Sequence, residues 1–473
     1  MRRIVSIGCS LCVAMMFAAC GAADTEGKRW EDLLVPGTPG GKMDTAYLSD
    51  LATEVEAVLT SEGKIDVRDK SQSERDAILT QVQASEGNEI KQLANGQLKF
   101  AKNEINEKKL HMNLTSSKPR VLEATLSDDG FIHVRFEAIV ESTVTQVDLD
   151  KMEITLPEFL ETAAEATVPD QPTKMYEAVG DACIKDGSHA ASYNYFYYFE
   201  ADKEGCAEAM ESAGIAQVRA TFELRNLAPA KTVYPEYDQL VDDGLIEVVA
   251  FFGAAKSDWE PGTWDWGPQS EKSFIRDMKD LGFREVESAD TGLLLVRTND
   301  GLETRITVIG PETLKLLNND VDGLFTTLVK RNEIIFYNGH SFYGSLNVLD
   351  NPEIYPGRYQ IFFMNSCWSY EYYTKQIFEH NVTADDPTGW DLADVVNDTE
   401  SGWFHNMADE STILLSNLLR GAETMGVDED RYFTWDRIIA AMNQHAIDTY
   451  YTRHTETHEI YGVSGVRTNR FEP

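Results

Sequence analysis

Basic residues are scarce in this chain. Against 79 Asp and Glu it carries only 42 Lys and Arg, a formal net charge of -37 at pH 7. Nucleic-acid phosphates require a basic footprint, so a nucleic-acid partner is excluded. The acid excess favours solubility and repulsion from other acidic surfaces. Long apolar runs are also lacking: beyond the first twenty residues none is long enough to span a bilayer. Cysteine is sparse, with six in 473 residues, so each can be accounted for. What is present is ordinary for globular protein, with 42% hydrophobic and 26% charged residues. The length implies about three domains with ample material for a core.

The N-terminus reads as a targeting segment. Arg2 and Arg3 form a positive start, and Ile4 to Phe17 form a short apolar run. The following Phe17-Ala18-Ala19-Cys20-Gly21 resembles a bacterial lipobox. That resemblance implies cleavage after residue 19 and lipidation of Cys20, with the bulk of the protein exported into water and membrane contact through the lipid alone. Gly rather than Asp after Cys20 implies, by the same resemblance, the outer membrane.

Cys9 and Cys12 leave with the signal. Cys183 and Cys206 lie in one segment, and an oxidising envelope favours a disulfide between them. Cys367 is then unpaired, either buried and inert or kept free for chemistry.

Residues 20–43, rich in Gly and Pro, read as a linker from the anchor. Residues 44–110 read as an acidic helical segment, because Leu48, Leu51, Val55 and Leu59 recur near a 3.6-residue spacing. Within it SEGKIDVRDKSQSE has half the look of a calcium loop, but Val58 stands where Asp is needed, and a solvated helical hairpin is favoured. Residues 111–233 switch to a period of two, as in Ile132, Val134 and Phe136, and read as an antiparallel β module. From 234 to 473, strand-like runs alternate with helical ones, which indicates an α/β domain with a mostly parallel sheet. Asn299-Asp300-Gly301 marks a hairpin inside it.

The chain is organised around Glu333 to Tyr373. The runs Ile334-Ile335-Phe336-Tyr337 and Ile361-Phe362-Phe363-Met364 have the character of strands buried on both faces. Each ends in a polar turn, the first presenting His340 and the second Cys367. Ligands of open α/β sheets bind beyond the carboxyl ends of the strands. If the two runs are neighbouring parallel strands, an imidazole and a thiol face one crevice. The thiolate is the reactive form of cysteine, and the imidazole can take its proton and later give it to a leaving amine. The amides of Cys367 and Ser341 are the natural donors to an oxyanion. The competing reading is a lone cysteine packed inertly on a core strand. Other constellations fall short: Tyr343 stands where a serine-hydrolase elbow needs Gly, and HTETH at 454–458 is not the zinc order HExxH.

Asn338-Gly339-His340 and Asn365-Ser366-Cys367, each closing a hydrophobic strand, resemble the histidine and cysteine motifs of the caspase-like cysteine peptidases, the superfamily of caspases, gingipains, legumains and clostripain. The likeness covers roughly Tyr234 to Pro473. It implies peptide-bond hydrolysis with Cys367 as nucleophile and His340 as base, supported by the turn residues Asn338 and Gly339, acting on a protein or peptide substrate without metal or cofactor. The segment holding Trp390, Asp391, Asp394, Asn397, Asp398 and Trp403 corresponds to a region that often shapes the first specificity pocket in that superfamily. The alternative is a catalytically silent binding or scaffold lipoprotein that keeps the fold.

Overall fold

The computed structural model describes residues 47–473 apart from 107–109, 114–116, 145–151, 159, 162–178, 186–198, 227–232, 288–291, 317–320, 343–345, 429–430 and 454–458. Cys20, the linker and the HTETH segment therefore lie outside the described residues. No helix among the described residues is long and apolar enough to cross a membrane. The chain is a multidomain α/β protein with one largely antiparallel and one mixed sheet.

The first sheet is built from β1 (Thr53–Asp66), β2 (Leu110–Met112), β3 (Lys118–Leu126), β4 (Phe131–Val144), β5 (Met152–Pro157), β6 (Leu160–Glu161) and β7 (Gln217–Asn226). Its path runs β2-β4-β1-β7-β5, with β3 added to β4 and β6 to β1. Helices α1 (Gln72–Gln83), α2 (Asn88–Asn106) and α3 (Cys206–Ser212) accompany it. A largely antiparallel sheet is present, but it begins with β1 rather than near residue 111, so the helical reading of residues 44–110 needs correction. α1 and α2 are helices, whereas Thr53–Asp66 is the central strand, paired along its whole length with β4. The reason is arithmetic: a spacing of four, as between Val55 and Leu59, fits one helical face and also one strand face. The residues between them decide the matter, since Ala57, Ser61, Gly63 and Ile65 continue the buried face at every second position. The supposed calcium loop is the end of this strand and the start of α1, where Ser71 and Glu74 close a capping box.

α2 lays Ile90, Leu93, Ala94, Leu98, Ala101 and Ile105 on the sheet, the i, i+3, i+4 stripe of an amphipathic helix. Gly63 suits this packing, because a Cβ there would stand 2.7 Å from a Leu93 methyl and Leu93 would have to shift. Cys183 and Cys206 form the expected disulfide inside the same core.

The second sheet contains β8 (Leu245–Phe252), β9 (Arg284–Val286), β10 (Leu293–Asn299), β11 (Leu302–Ile309), β12 (Ile334–Asn338), β13 (Gln360–Asn365), β14 (Ala393–Asp398) and, after a two-stranded ribbon of β15 (Val427–Asp428) and β16 (Arg431–Tyr432), β17 (Tyr461–Ser464). The order is β17-β14-β13-β12-β8-β11-β10-β9. The five strands from β14 to β11 are parallel, and β17, β10 and β9 are antiparallel additions. The expected hairpin joins β10 to β11, with positive φ at both Asp300 and Gly301, the requirement of the tight turn that matches strand twist.

Helices α4 (Tyr237–Leu240), α5 (Trp266–Asp280), α6 (Pro311–Leu316), α7 (Val321–Arg331), α8 (Ser369–His380), α9 (Met407–Glu423) and α10 (Trp435–Arg453) cover both faces. Phe336 and Phe363 meet Phe274, Leu415 and Ile439 on one side, while Ile335 and Phe362 meet Leu328 and Ile377 on the other. Burial on both faces is why these strands are continuous apolar runs rather than alternating ones.

Removing the disulfide with Cys183→Ser and Cys206→Ser should cost the first unit about 3 kcal/mol, the order expected when a loop of this size loses its cross-link. Chemical denaturation with and without reductant checks this: the wild-type midpoint should fall on reduction, and that of the double variant should not move.

Candidate functional site

β12 and β13 are adjacent, parallel and in register, ending together at the rung Asn338 opposite Asn365. His340 and Cys367 each follow that rung by two residues (340−338 and 367−365). Neighbouring strands lie about 4.8 Å apart, so both turns leave the same end of the sheet side by side. The rung is held by side chains as well as backbone. Asn365 Nδ2 donates to Asn338 Oδ1 at 2.9 Å, Ser411 Oγ to the same oxygen at 2.9 Å, and Tyr461 Oη to Asn365 Oδ1 at 3.3 Å. The Gly339 amide donates to the Asn365 carbonyl at 3.2 Å, which carries the pairing one step into the turn. Both asparagines are fully enclosed; their side-chain oxygens and Asn365 Nδ2 are paired, while Asn338 Nδ2 has no hydrogen-bond partner among the described residues.

His340 is exposed, and its Nε2 lies 2.9 Å from the carbonyl oxygen of Ala255. A carbonyl only accepts, so Nε2 carries the proton of that contact and the neutral ring offers Nδ1 as its basic nitrogen. Ala255 belongs to the loop after β8, which is itself fixed by the buried Asp265 carboxylate accepting from the amides of Ala255, Lys256 and Gly267 at 2.8, 2.9 and 2.8 Å. The imidazole packs against Phe404 at 4.8 Å between ring centres and Phe342 at 6.0 Å. Ser341 is buried, its carbonyl accepting from Tyr373 Oη.

Cys367 sits in the turn between β13 and α8. Trp368 adopts a left-handed conformation with φ of 50° and donates its amide to the Glu400 carbonyl at 2.8 Å, after which α8 begins. The half-buried thiol of Cys367 donates to the Gly402 carbonyl at 3.7 Å. The two backbones approach closely there: a Cβ on Gly402 would stand 3.3 Å from the Cys367 amide nitrogen. Burial, and after it the Asp398 carboxylate, push the thiol up to about 11 from its ordinary 9.0. At neutral pH the resting group is therefore a thiol, and each member of the pair has its own resting partner.

Carboxyl groups wall this end of the sheet. Asp398 closes β14 and accepts from the amides of Glu400 and Ile460 at 2.9 and 3.0 Å. Burial raises its carboxyl well above the ordinary range, and Glu459 adds to the effect. Glu459 accepts from the Trp403 amide at 3.0 Å and from Asn406, and burial pushes it up to about 7. Glu410, also enclosed, is raised chiefly by burial. Neither Glu410 nor Glu459 was singled out in the sequence, because nothing local marks a residue that becomes part of a site only when distant elements meet. The converse holds for the segment expected to shape a pocket. Asn397, Asp398 and Trp403 lie at the site end, whereas Trp390, Asp391 and Asp394 belong to the opposite, amino-terminal end of β14. Asp394 instead accepts from Trp435 Nε1 at 2.7 Å and Asn469 Nδ2 at 2.8 Å beneath the sheet. Of the tryptophans leading into α5, Trp259 is packed, while Trp264 and Trp266, the first residue of the helix, are exposed and meet edge to face at 5.0 Å.

Two pH dependences follow. Iodoacetamide modification of Cys367 should be slow at neutral pH and rise to a midpoint near 11, with Asp398→Asn moving the midpoint down; trapped-adduct mass spectrometry reads both. Burial lifts Asp394, like Glu459, to about 7, so the folded state holds protons that the unfolded chain releases near pH 4. Stability is then full below the unfolded values and is lost as pH rises through about 7, and Asp394→Asn should flatten that decline in thermal melts. Comparison of the chain with protein-family models, with curated proteins and with solved structures finds no match.

Proposed function

We propose that the second unit is a caspase-like cysteine peptidase domain in which Cys367 and His340 hydrolyse a peptide bond. The observation that carries this reading is the in-register pairing of β12 with β13, which sends the two turns out from one rung. The sheet order, with a parallel centre and the histidine and cysteine following consecutive central strands, supports the likeness to that superfamily.

In the proposed reaction His340 Nδ1 takes the Cys367 proton as sulfur attacks the substrate carbonyl. The Ala255 carbonyl keeps the ring in the tautomer that does so and stabilises the imidazolium that forms. Backbone amides of Cys367 and Ser341 receive the oxyanion. The imidazolium then protonates the leaving amine, and water, deprotonated by the same ring, releases the thioester. A substrate with a basic side chain suits the walls best. Its charge would offset Asp398 and Glu459, which add to the burial that raises the thiol.

The raised thiol and its contact with Gly402 favour a second reading, a silent binding protein on the same scaffold. Export and lipid attachment through Cys20 belong to either reading, and the Cys183–Cys206 disulfide suits an oxidising compartment.

The deciding measurement is hydrolysis of peptides with Arg or Lys on the acyl side of the scissile bond, against Glu at the same place. Cys367→Ala should abolish cleavage, and His340→Ala should lower kcat/KM by about 10²–10⁴. Turnover that survives Cys367→Ala would remove the peptidase reading, and peptide binding without turnover in the wild type would favour the scaffold.

A further inference from the structure

Two basic side chains from the first sheet's unit are buried beneath the Cys367 turn, in a chain where basic residues are outnumbered. Lys102, near the end of α2, pairs with the Glu371 carboxylate, lies 3.1 Å from Tyr372 Oη, and stands 4.8 and 5.4 Å above the rings of Tyr372 and Trp368. His111 of β2 is 1% exposed. Its Nδ1 lies 3.7 Å from Glu371 and its Nε2 3.4 Å from Glu400. Asn113 Nδ2 donates to Thr374 Oγ1 at 2.7 Å. Glu371, Tyr372 and Thr374 fall in the first two turns of α8, the helix that starts two residues after the thiol. Glu400 lies on the chain segment whose carbonyl anchors Trp368. The imidazole thus spans the two segments that bracket Cys367.

We propose that Lys102 and His111 are positioning residues for Cys367, so that the first sheet's unit completes the site rather than merely carrying it. The physical reason is charge balance. Glu371 is fully enclosed, and an enclosed carboxylate persists only with a cationic partner. Lys102 supplies that partner on one side and His111 links it to Glu400 on the other. The groups facing the imidazole are Glu371 from α8 and Glu400 after β14, with Glu141 two residues from its register partner Thr143 on β4. Burial opposes a charge on His111, but the two carboxylates outweigh it and hold the imidazole above its ordinary value. The link is consequently complete on the acid side and loosens as pH rises through that raised value.

This inference rests on Cys367 being the reactive group, and its test reads the thiol directly rather than through turnover. Full-length wild type, His111→Gln, Lys102→Met and Lys102→Arg are alkylated with iodoacetamide across a pH series, and thermal melts are recorded in parallel. His111→Gln, which leaves the Lys102 pair intact, should melt cooperatively yet modify Cys367 about tenfold more slowly at a fixed pH, the ratio given by one pKa unit. Its melting temperature should also lose His111's share of the fall with rising pH, leaving the share set by Asp394 and Glu459. Lys102→Met should change the alkylation profile in the same direction, and Lys102→Arg should restore it. If Lys102→Met does not fold, His111→Gln and Lys102→Arg decide alone. A cooperatively folded His111→Gln protein with the wild-type alkylation profile would overturn the proposal. A wild type that cleaves no peptide while its thiol still responds to His111→Gln would remove the peptidase reading and leave the positioning role standing.

Discussion

The candidate site depends on one piece of backbone geometry, the parallel pairing of β12 with β13 in a register that ends at Asn338 and Asn365. A slip of one residue would reverse the side chains between the two faces and send Cys367 away from the crevice. Hydrophobic burial on both faces discourages such a slip in the strands, and the asparagine pair does the same at the rung, where Asn338 also receives Ser411 from α9. The polar belt costs more to break than an apolar one, because each enclosed amide left without a partner forfeits its hydration. Specific polar pairing at the end of a greasy strand is what converts a generic parallel sheet into a platform for two chosen turns.

Electrostatics then sets the resting state of what the turns carry. The chain's acid excess is not confined to its surface, since Asp398, Glu410 and Glu459 are enclosed at the carboxyl end of the sheet. Desolvation raises all three, and burial of the sulfur, with Asp398 and Glu459 adding to it, keeps Cys367 a thiol. Such a group is quiet until a neighbour takes its proton or a positive charge enters beside it. The buried Lys102 and His111 side chains lie against Glu371 and Glu400. Acidic and basic groups therefore approach the same short segment from the two sheet units.

Much of the second unit was legible in the residues. Runs such as Ile361 to Met364 can be strands only if both faces are covered, and the helical stripe in Val321–Arg331 supplies one of the covers. The hairpin at Asp300-Gly301 was equally plain, because few dipeptides accept positive φ twice in succession. The disulfide was expected from the count and spacing of the cysteines. The first unit was harder to read. Val55 and Leu59 satisfy two periods at once, and only pairing with β4 and β7 selects the extended one.

Sequence by itself determined which strands are buried, where they turn, and that an imidazole and a thiol follow two consecutive core strands. Local composition and periodicity act over a few residues, and those features need nothing more. Tertiary structure alone decided that β1 is a central strand, that Asp394 and Asp398 serve opposite ends of β14, and that Lys102 and His111 meet Glu371 and Glu400. These outcomes depend on residues hundreds of positions apart being brought together and dehydrated. Burial, unlike periodicity, leaves no mark on the residue that undergoes it until the chain has closed around it.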